Sequence, residues 1–286
     1  MLIISQNNLT EIPVSSPDFP KAWKELPDCP ERLYAFGDIS LLGERKLAVV
    51  GSRRTPANAL KLGVELCKTL STSLVIATGT ADGGDSAAIE GALLGSGRVI
   101  CLLAGGFSAL PQCNLTLLEK VAKRGLILSV HPFETEVRAF SYEYRNKLLA
   151  KLCQGVLVLG AGEKSGALIT AKYAAAYKKE IFALPYPPNS ASGCGCNRLI
   201  KEGAYLTESA KDVAEKFGID LTEKKREYTL TPDEEKLYAC LKEGEAHAGE
   251  LAQKTGIPVF KLRAVLSSLE VKGLVVALGG NRYGAV

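Results

Sequence analysis

The sequence predicts an α/β protein with a doubly wound, mostly parallel sheet and a C-terminal winged-helix domain. Between Lys46 and Pro185, six short apolar runs alternate with helical patterns, which is the order of elements in a parallel sheet. Polar and glycine-rich residues recur where these runs end. Near the C-terminus, three helical patterns precede two β-like runs. Together these observations favour an extended Rossmann-like domain followed by a winged helix.

In chain order, the first forty residues are rich in proline and contain the only tryptophan, Trp23. We expect residues 1–40 to form an extended arm that its aromatic and apolar side chains anchor on the next domain. Residues 41–218 form the Rossmann-like domain, whose strands are predicted in the runs LAVV, LVIAT, RVICLLA, LILSV, GVLVLGA and EIFALP. The helical patterns between these runs supply the crossover connections of a parallel sheet.

A charged linker is predicted over residues 219–232 and a winged-helix domain over residues 233–286. Its three helices are expected at Asp233–Leu241, Ala248–Thr255 and Val259–Lys272, and the run LVVALGGNRYGAV forms the two-stranded wing.

Composition indicates a globular chain of 286 residues, 47% hydrophobic, with a net charge of +4. The surplus belongs to residues 1–227, with 28 basic against 24 acidic side chains, whereas residues 228–286 hold 7 of each. No apolar run is long enough to span a membrane and no signal peptide is recognisable, so we expect a cytoplasmic protein without membrane contact.

Metal and enzyme chemistry find little support in the sequence. The eight cysteines are scattered, which favours reduced thiols. Cys194-Gly195-Cys196 has no second ligand pair to complete a zinc site, because the chain contains only two histidines, His131 and His247, and no C-x₂-C motif. Asp82 and Asp85 are weak evidence for a metal-binding carboxylate pair. There is no P-loop and no plausible Ser-His-Asp arrangement. We therefore predict no metal, no cofactor and no catalytic residue.

The turn after the first parallel strand carries unusual residues for a nucleotide site. Gly51 ends the strand, and Ser52-Arg53-Arg54 follow where a dinucleotide fingerprint would keep further glycines. A helix N-terminus attracts anions, and a guanidinium binds phosphate in a bidentate manner. We predict a phosphate contact for Gly51, Ser52 and Arg53, and interpret Arg54 as a solvated surface residue.

The second strand ends in a loop with four glycines, which permit close backbone approach. They are Gly79, Gly83, Gly84 and Gly91. We expect Asp85 to cap the following helix, and Gly79 to take part in phosphate binding. Two adjacent glycine loops can hold more than one phosphate.

Further candidates lie beyond the later strands. Arg145, Asn146 and Lys147 follow the aromatic residues of FSYEYRNKLLAKL, a mixture that suits single-stranded nucleic acid. Phe140 and Tyr144 are the base-stacking candidates, although packing against the sheet competes with this interpretation. Other phosphate-binding candidates are Ser165, Gly166, Thr170, Asn197 and Lys201. Simple helix capping remains the alternative for Ser165 and Gly166.

These motifs resemble the bacterial DNA-processing protein A family, also known as DprA or Smf, over nearly the whole chain. The matching segments are FPKAWKELPDCPERLYAFGD, VVGSR, TGTADGGDSAAIEGAL, GGFSALPQCNLTLL, YRNKLLAKL, KSGALITAKYA and GCNRLIKEGA. The resemblance implies a homodimer that binds single-stranded DNA in a basic pocket, protects incoming DNA and helps load the recombinase RecA in natural transformation. It implies no enzymatic activity, and it places the DNA-contacting residues in these same segments.

The chain departs from the family pattern at several positions. Asp82 stands where a basic residue is common, Ile89 replaces an expected histidine, and Gly160 replaces an acid. The usual V-P-G reads Leu184-Pro185-Tyr186. Asp82 is expected to weaken a phosphate contact nearby.

Two alternatives to a single-stranded DNA-binding mediator stay open. A nucleotide-processing enzyme, such as an N-glycosidase or hydrolase, could use the same pocket, although the acidic motif that such enzymes carry is missing. A sequence-specific regulator could act through the winged helix. That module is net neutral, and its third helix offers only Lys261 and Arg263 in its first half. We therefore expect weak or no duplex binding, and a protein-interaction or intramolecular role. Arg282 in the wing is the best argument for duplex binding.

Overall fold

The computed structural model describes residues 4–221 and 230–285. The chain divides into two compact units, Met1–Leu221 and Thr222–Val286. Most of the predicted linker, and the last residue of the predicted winged-helix domain, lie outside the described residues. In the described part of the chain, no helix is both long and apolar enough to cross a membrane.

The first unit is built on a nine-stranded sheet in the order β1-β2-β6-β5-β4-β3-β7-β8-β9. The strands are β1 (Thr10–Pro13), β2 (Arg32–Gly37), β3 (Lys46–Gly51), β4 (Val75–Thr78), β5 (Val99–Leu102), β6 (Leu126–Ser129), β7 (Gly155–Gly160), β8 (Glu180–Ala183) and β9 (Tyr205–Leu206). Strands β3 to β8 are the six predicted runs, and all of them pair in parallel. The predicted mostly parallel sheet is confirmed.

Helices cover both faces of this sheet because its central strands are apolar on both sides. They are α1 (Lys21–Lys24), α2 (Ala57–Leu70), α3 (Gly84–Leu94), α4 (Leu115–Arg124), α5 (Ala139–Leu152), α6 (Ala167–Ala176), α7 (Cys194–Lys201) and α8 (Ala210–Phe217). In β3, Leu47 and Val49 pack into the core under α2, α3, α4 and α8. Ala48 and Val50 pack into the core under α1, α5, α6 and α7. This is the doubly wound arrangement.

The N-terminal segment does more than wrap around the domain. Strands β1 and β2 extend the sheet in antiparallel pairing, with β2 next to β6. Between them, Trp23 is fully buried and donates its indole N–H to the backbone oxygen of Leu148 at 2.8 Å. Trp23 is therefore an anchor for α5, and β1 and β2 are strands that the sequence interpretation missed.

Strand β3 has a special position in the sheet. The chain runs from β3 through β4 and β5 to β6 on one side, then crosses back to β7 on the other side of β3. Strands β3 and β7 are thus neighbours whose following helices lie on opposite faces. Ligands of such sheets bind at this switch point, beyond the carboxyl ends of the strands.

The second unit is a winged helix, as predicted. It contains α9 (Pro232–Lys242), β10 (Ala246–His247), α10 (Ala248–Thr255), α11 (Val259–Val271), β11 (Val275–Gly279) and β12 (Arg282–Ala285). The three helices surround a core that includes Leu237, Leu251 and Leu266. Strand β12 pairs with both β10 and β11, and the short β10 was not predicted.

Candidate nucleic-acid interface

A cavity of about 340 Å³ lies at the carboxyl ends of β3 and β7. Four segments line it: the turn after β3, the loop after β4, the first half of α5, and the start of α6. The cavity therefore occupies the switch point of the sheet, where the topology favours ligand binding.

The turn after β3 is fixed by its own backbone bonds. Ser52 donates its N–H to the oxygen of Gly160 at 2.8 Å, which ties the turn to the end of β7. The Thr55 hydroxyl donates to the backbone oxygen of Ser52 at 2.8 Å. The N–H of Arg54 donates to the side-chain hydroxyl of Ser52 at 3.1 Å. Helix α2 begins only at Ala57, so both arginines belong to the turn.

Arg53 and Arg54 are both exposed and both line the cavity. Arg54 is thus solvated, as predicted, and its place on the cavity lining makes it a further candidate for phosphate contact. Two guanidinium groups on one rigid turn provide fixed positive charge and several N–H donors at the cavity mouth, which suits phosphate oxygens.

The loop after β4 packs directly against this turn. A Cβ atom on Gly51 would lie 2.8 Å from the Cα of Gly84, and the N–H of Gly84 donates to the Ser52 oxygen at 3.4 Å. Only glycines permit this approach of two backbones. The two glycine loops are therefore adjacent, as their places at neighbouring strand ends suggested.

The expectation that Asp85 caps α3 is wrong. The helix begins at Gly84 with Gly83 as its N-cap residue, and Asp85 lies inside the first turn. Its buried carboxylate accepts the N–H of Ala81 at 3.2 Å and lies 3.6 Å from the Arg145 guanidinium. Burial raises the pKa of Asp85, against the opposing effects of Arg145 and of the backbone N–H groups.

Gly79 makes room for this ion pair and does not reach the cavity. A Cβ atom there would overlap the Arg145 guanidinium and the Asp85 carboxylate. Arg145 also donates to the Leu102 oxygen at 3.4 Å and is buried. The pair thus joins α3 and α5 to the end of β5 at the cavity wall.

The start of α6 contributes neutral donors. The Ser165 hydroxyl accepts the N–H of Ala167 at 3.3 Å, a local capping contact, and Asn146 donates its amide to the Gly166 oxygen at 3.3 Å. Thr170 lines the cavity and is fully buried, yet its hydroxyl has no hydrogen-bond partner among residues 4–221 and 230–285. A buried hydroxyl usually has a partner, so Thr170 is an exception in the cavity wall.

Of the predicted phosphate-binding residues, eight line the cavity: Gly51, Ser52, Arg53, Arg145, Asn146, Ser165, Gly166 and Thr170. The other four, Gly79, Lys147, Asn197 and Lys201, do not. Lys147 donates to both carboxylate oxygens of Asp28 at 2.6 Å. The Asn197 side chain bonds to the backbone of Tyr186 in both directions, and Lys201 lies with it on a separate groove.

The structure also changes which aromatic residues are candidates for base stacking. The Tyr144 hydroxyl donates to the backbone oxygen of Asp28 at 2.7 Å, and its ring packs on the core. The packing alternative therefore holds for Tyr144. Phe140 is 66% exposed but lies outside the cavity lining. Tyr142, which was not selected, lines the cavity and is 41% exposed. Its spacing of three and four residues from Arg145 and Asn146 places all three on one helix face.

The departures from the family pattern are accommodated locally. Ile89 is fully buried in the core under α3. Asp82 is exposed and accepts the N–H of Gly83 at 2.8 Å, and it does not line the cavity. A Cβ atom on Gly160 would lie 2.5 Å from the Thr55 hydroxyl oxygen and 2.8 Å from the Tyr186 hydroxyl oxygen, so these two side chains fill the space that a side chain at position 160 would need.

Metal ligands are not assembled at this site. Across the described ranges, no group of three or more His, Cys, Asp or Glu side chains could hold a metal ion. The lining instead combines arginine side chains, backbone N–H groups and hydroxyls, which is the donor set of an anion-binding site.

This fold and this site define a class of nucleic-acid-processing proteins, and comparison with family models identifies the family. Residues 11–218 match the model described as DNA recombination-mediator protein A, and residues 222–281 match the DprA winged helix domain. The chain belongs to the DNA recombination-mediator protein A family.

Individual relatives agree with this assignment. The chain is 35% identical to a DNA processing protein DprA of Bacillus subtilis, over 78% of this chain and 75% of the relative. The structure of DNA processing protein A from Streptococcus pneumoniae superposes with a TM-score of 0.70 at 32% identity, covering 73% and 74% of the two chains. For the protein of Helicobacter pylori, whose structural description concerns its single-stranded DNA binding mode, the TM-score is 0.66 at 29% identity, covering 73% and 95%.

Proposed function

We propose that this protein is a recombination mediator that binds single-stranded DNA in the cavity at the end of β3. The observation that carries the proposal is the meeting of Arg53 and Arg54 with the start of α6, at Ser165 and Gly166, in one cavity. Cationic side chains on a turn suit a strand of repeating phosphates, whereas a single pyrophosphate can rest on glycine backbone. The single-stranded DNA binding of the Helicobacter pylori relative supports the same assignment.

Tyr142 gives the cavity a stacking surface beside its phosphate donors. Its ring is partly exposed and lies one helical turn before Arg145 and Asn146. Proteins that bind single strands combine such aromatic surfaces with basic grooves. We include Tyr142 in the DNA-binding set and leave Lys147, Asn197 and Lys201 outside it.

The wider role follows the family. We propose that the chain protects incoming single strands in the cytoplasm, forms a homodimer and helps load RecA during natural transformation. Light scattering tests the homodimer, and a RecA strand-exchange assay tests the loading step. Both measurements are separate from the measurement of DNA binding.

An enzymatic role is the competing candidate because the Asp85 carboxyl borders the cavity. A nucleotide N-glycosidase or hydrolase could use such a group as an acid or base. In this structure Asp85 is paired with Arg145 inside the wall, so we propose a binding role without catalysis. Release of base from nucleoside monophosphates, abolished by Asp85→Asn, would favour the enzyme instead.

The decisive experiment is a titration of labelled oligo-dT at several salt concentrations. Arg53→Ala is expected to weaken binding and to reduce the slope of log K against log salt by about 0.7 for each lost phosphate contact. Lys147→Ala is the matched control, since its ammonium group is bound to Asp28 outside the cavity. Unchanged affinity and slope for Arg53→Ala would refute the proposed site.

A further inference from the structure

The third helix of the winged-helix unit exposes an apolar stripe. Phe260, Ala264, Ser267 and Val271 are all exposed, and their spacings of four, three and four residues place them on one face of α11. Phe260 is 85% exposed and Val271 is 88% exposed. The opposite face, with Leu262, Leu266 and Leu269, is buried in the core of the unit.

The order of side chains along the stripe is symmetric. A large side chain stands at each end, Phe260 and Val271, and the small residues Ala264 and Ser267 lie between them. If two such helices pack antiparallel, Phe260 of one meets Val271 of the other, and the two small pairs meet at the centre. Alternating spacings of four and three residues are those of helices that pack lengthwise against each other, and small central residues permit a close approach.

Charges beside the stripe have the same symmetry. Arg263 and Glu270 lie seven residues apart on one flank of the stripe, and neither side chain has an ion-pair partner within the described part of the chain. Neighbouring charges are already paired: Lys261 lies 2.6 Å from Asp233, and Lys272 lies 2.6 Å from Glu234. In an antiparallel pair, the same flanks face each other, so Arg263 of each helix meets Glu270 of the other.

We infer that this stripe is an interface at which the winged-helix units of two copies of this chain pack, with their α11 helices antiparallel about a two-fold axis. A two-fold contact requires a self-complementary surface, and both the apolar and the charged residues of α11 are self-complementary. Duplex DNA fits the same face poorly, because it would place Phe260 and Val271 in a groove bordered by phosphates.

The test uses the full chain with Ser267→Cys and a short bismaleimide cross-linker, followed by peptide mapping. A product that joins two copies of the α11 peptide through their introduced thiols can arise only between two chains, so it reports this contact whether or not the first unit also dimerises. Phe260→Asp is expected to lower its yield about tenfold, because it removes an aromatic contact and puts a buried charge at each end of the interface. Val276→Asp, which alters an exposed apolar residue of the wing, is the matched control and leaves the yield unchanged.

Charge reversal adds a control for folding. Arg263→Glu and Glu270→Arg should each lower the yield alone, because like charges then face each other twice, and an equal mixture of the two variants should restore it. Absence of the α11-to-α11 product, or a mixture that fails to restore it, would overturn the inference. The inference would also be overturned if duplex DNA suppressed the cross-link and Phe260→Asp weakened duplex binding, because the stripe would then be a DNA-binding surface.

Discussion

The Arg145 guanidinium and the Asp85 carboxylate lie 3.6 Å apart in the cavity wall, and both side chains are more than nine-tenths buried. Arg145 comes from α5 and Asp85 from α3, so the pair fixes one helix relative to the other across the sheet edge. Tyr142 and Asn146, which line the cavity on the same helix, depend on this placement. The pair therefore positions the proposed binding residues more than it supplies charge to a ligand.

Arg145→Ala should destabilise the first unit because it leaves a buried carboxylate without its partner. The expected loss is about 3 to 5 kcal/mol in the free energy of unfolding, measured by denaturant titration with Trp23 fluorescence at neutral pH. Arg53→Ala, at an exposed position of the same cavity, should change stability by no more than about 0.5 kcal/mol. An Arg145→Ala variant that keeps its stability but no longer binds oligo-dT would make Arg145 a direct phosphate contact.

Gly84→Ala should separate the two glycine loops. Its Cβ atom would overlap the backbone of Gly51, where no flexible side chain can move away, and a cost of about 1 to 3 kcal/mol is typical of such overpacking. Gly166→Ala is the matched control at the same cavity, since a Cβ atom there would meet nothing within 4 Å. Equal unfolding midpoints for the two variants would contradict the close packing of the loops.

The sheet was predictable because each strand is a short apolar run between helical patterns. Strand β1 was missed because only Ile12 of it is buried. Strand β2 has a short buried run, Leu33–Ala35, but the proline-rich segment before it favoured an extended arm. An antiparallel edge strand such as β1 lacks the continuous apolar signal of central parallel strands.

The binding residues were only partly predictable because strand ends locate a loop but not the direction of its side chains. Arg145 and Lys147 were grouped as neighbours, yet residues two apart on a helix point to different sides, and Lys147 faces the N-terminal segment. The same periodicity would have selected Tyr142 in place of Tyr144. Asn197 follows β8, one strand farther from the switch point, where it holds the backbone of Tyr186.

Tyr142→Ala should weaken binding of oligo-dT by about 1 to 3 kcal/mol, the usual cost of losing one base-stacking ring. Tyr142→Phe should retain most of the affinity because stacking requires the ring and not the hydroxyl. Tyr144→Phe, which removes only a contact to the Asp28 backbone, is the control and should bind normally. Unchanged affinity for Tyr142→Ala, or an equal loss for Tyr144→Phe, would refute the stacking role of Tyr142.

Acid should unfold the winged-helix unit through Glu234. This buried carboxylate accepts hydrogen bonds from Lys272 at 2.6 Å, Ser268 at 2.7 Å and the N–H of Thr231 at 2.7 Å, and these donors, with Lys272 first, lower its pKa to about 2. The unfolded chain takes up this proton at its ordinary pKa of 4.5. The stabilisation from Glu234 is therefore complete above pH 4.5 and is lost as the pH falls toward 2.

The loss of stability of the winged-helix unit between pH 4.5 and 2 is on the order of 3 kcal/mol. It can be followed separately because Trp23 lies in the first unit and reports only on that unit. Far-ultraviolet circular dichroism sees both units, so a loss of helix signal without a change in Trp23 fluorescence belongs to the winged helix. Glu234→Gln should be less stable at neutral pH and should lose the Glu234 contribution to the pH dependence between 4.5 and 2. The same acid sensitivity in Glu234→Gln as in the unaltered chain would show that other carboxylates govern the transition.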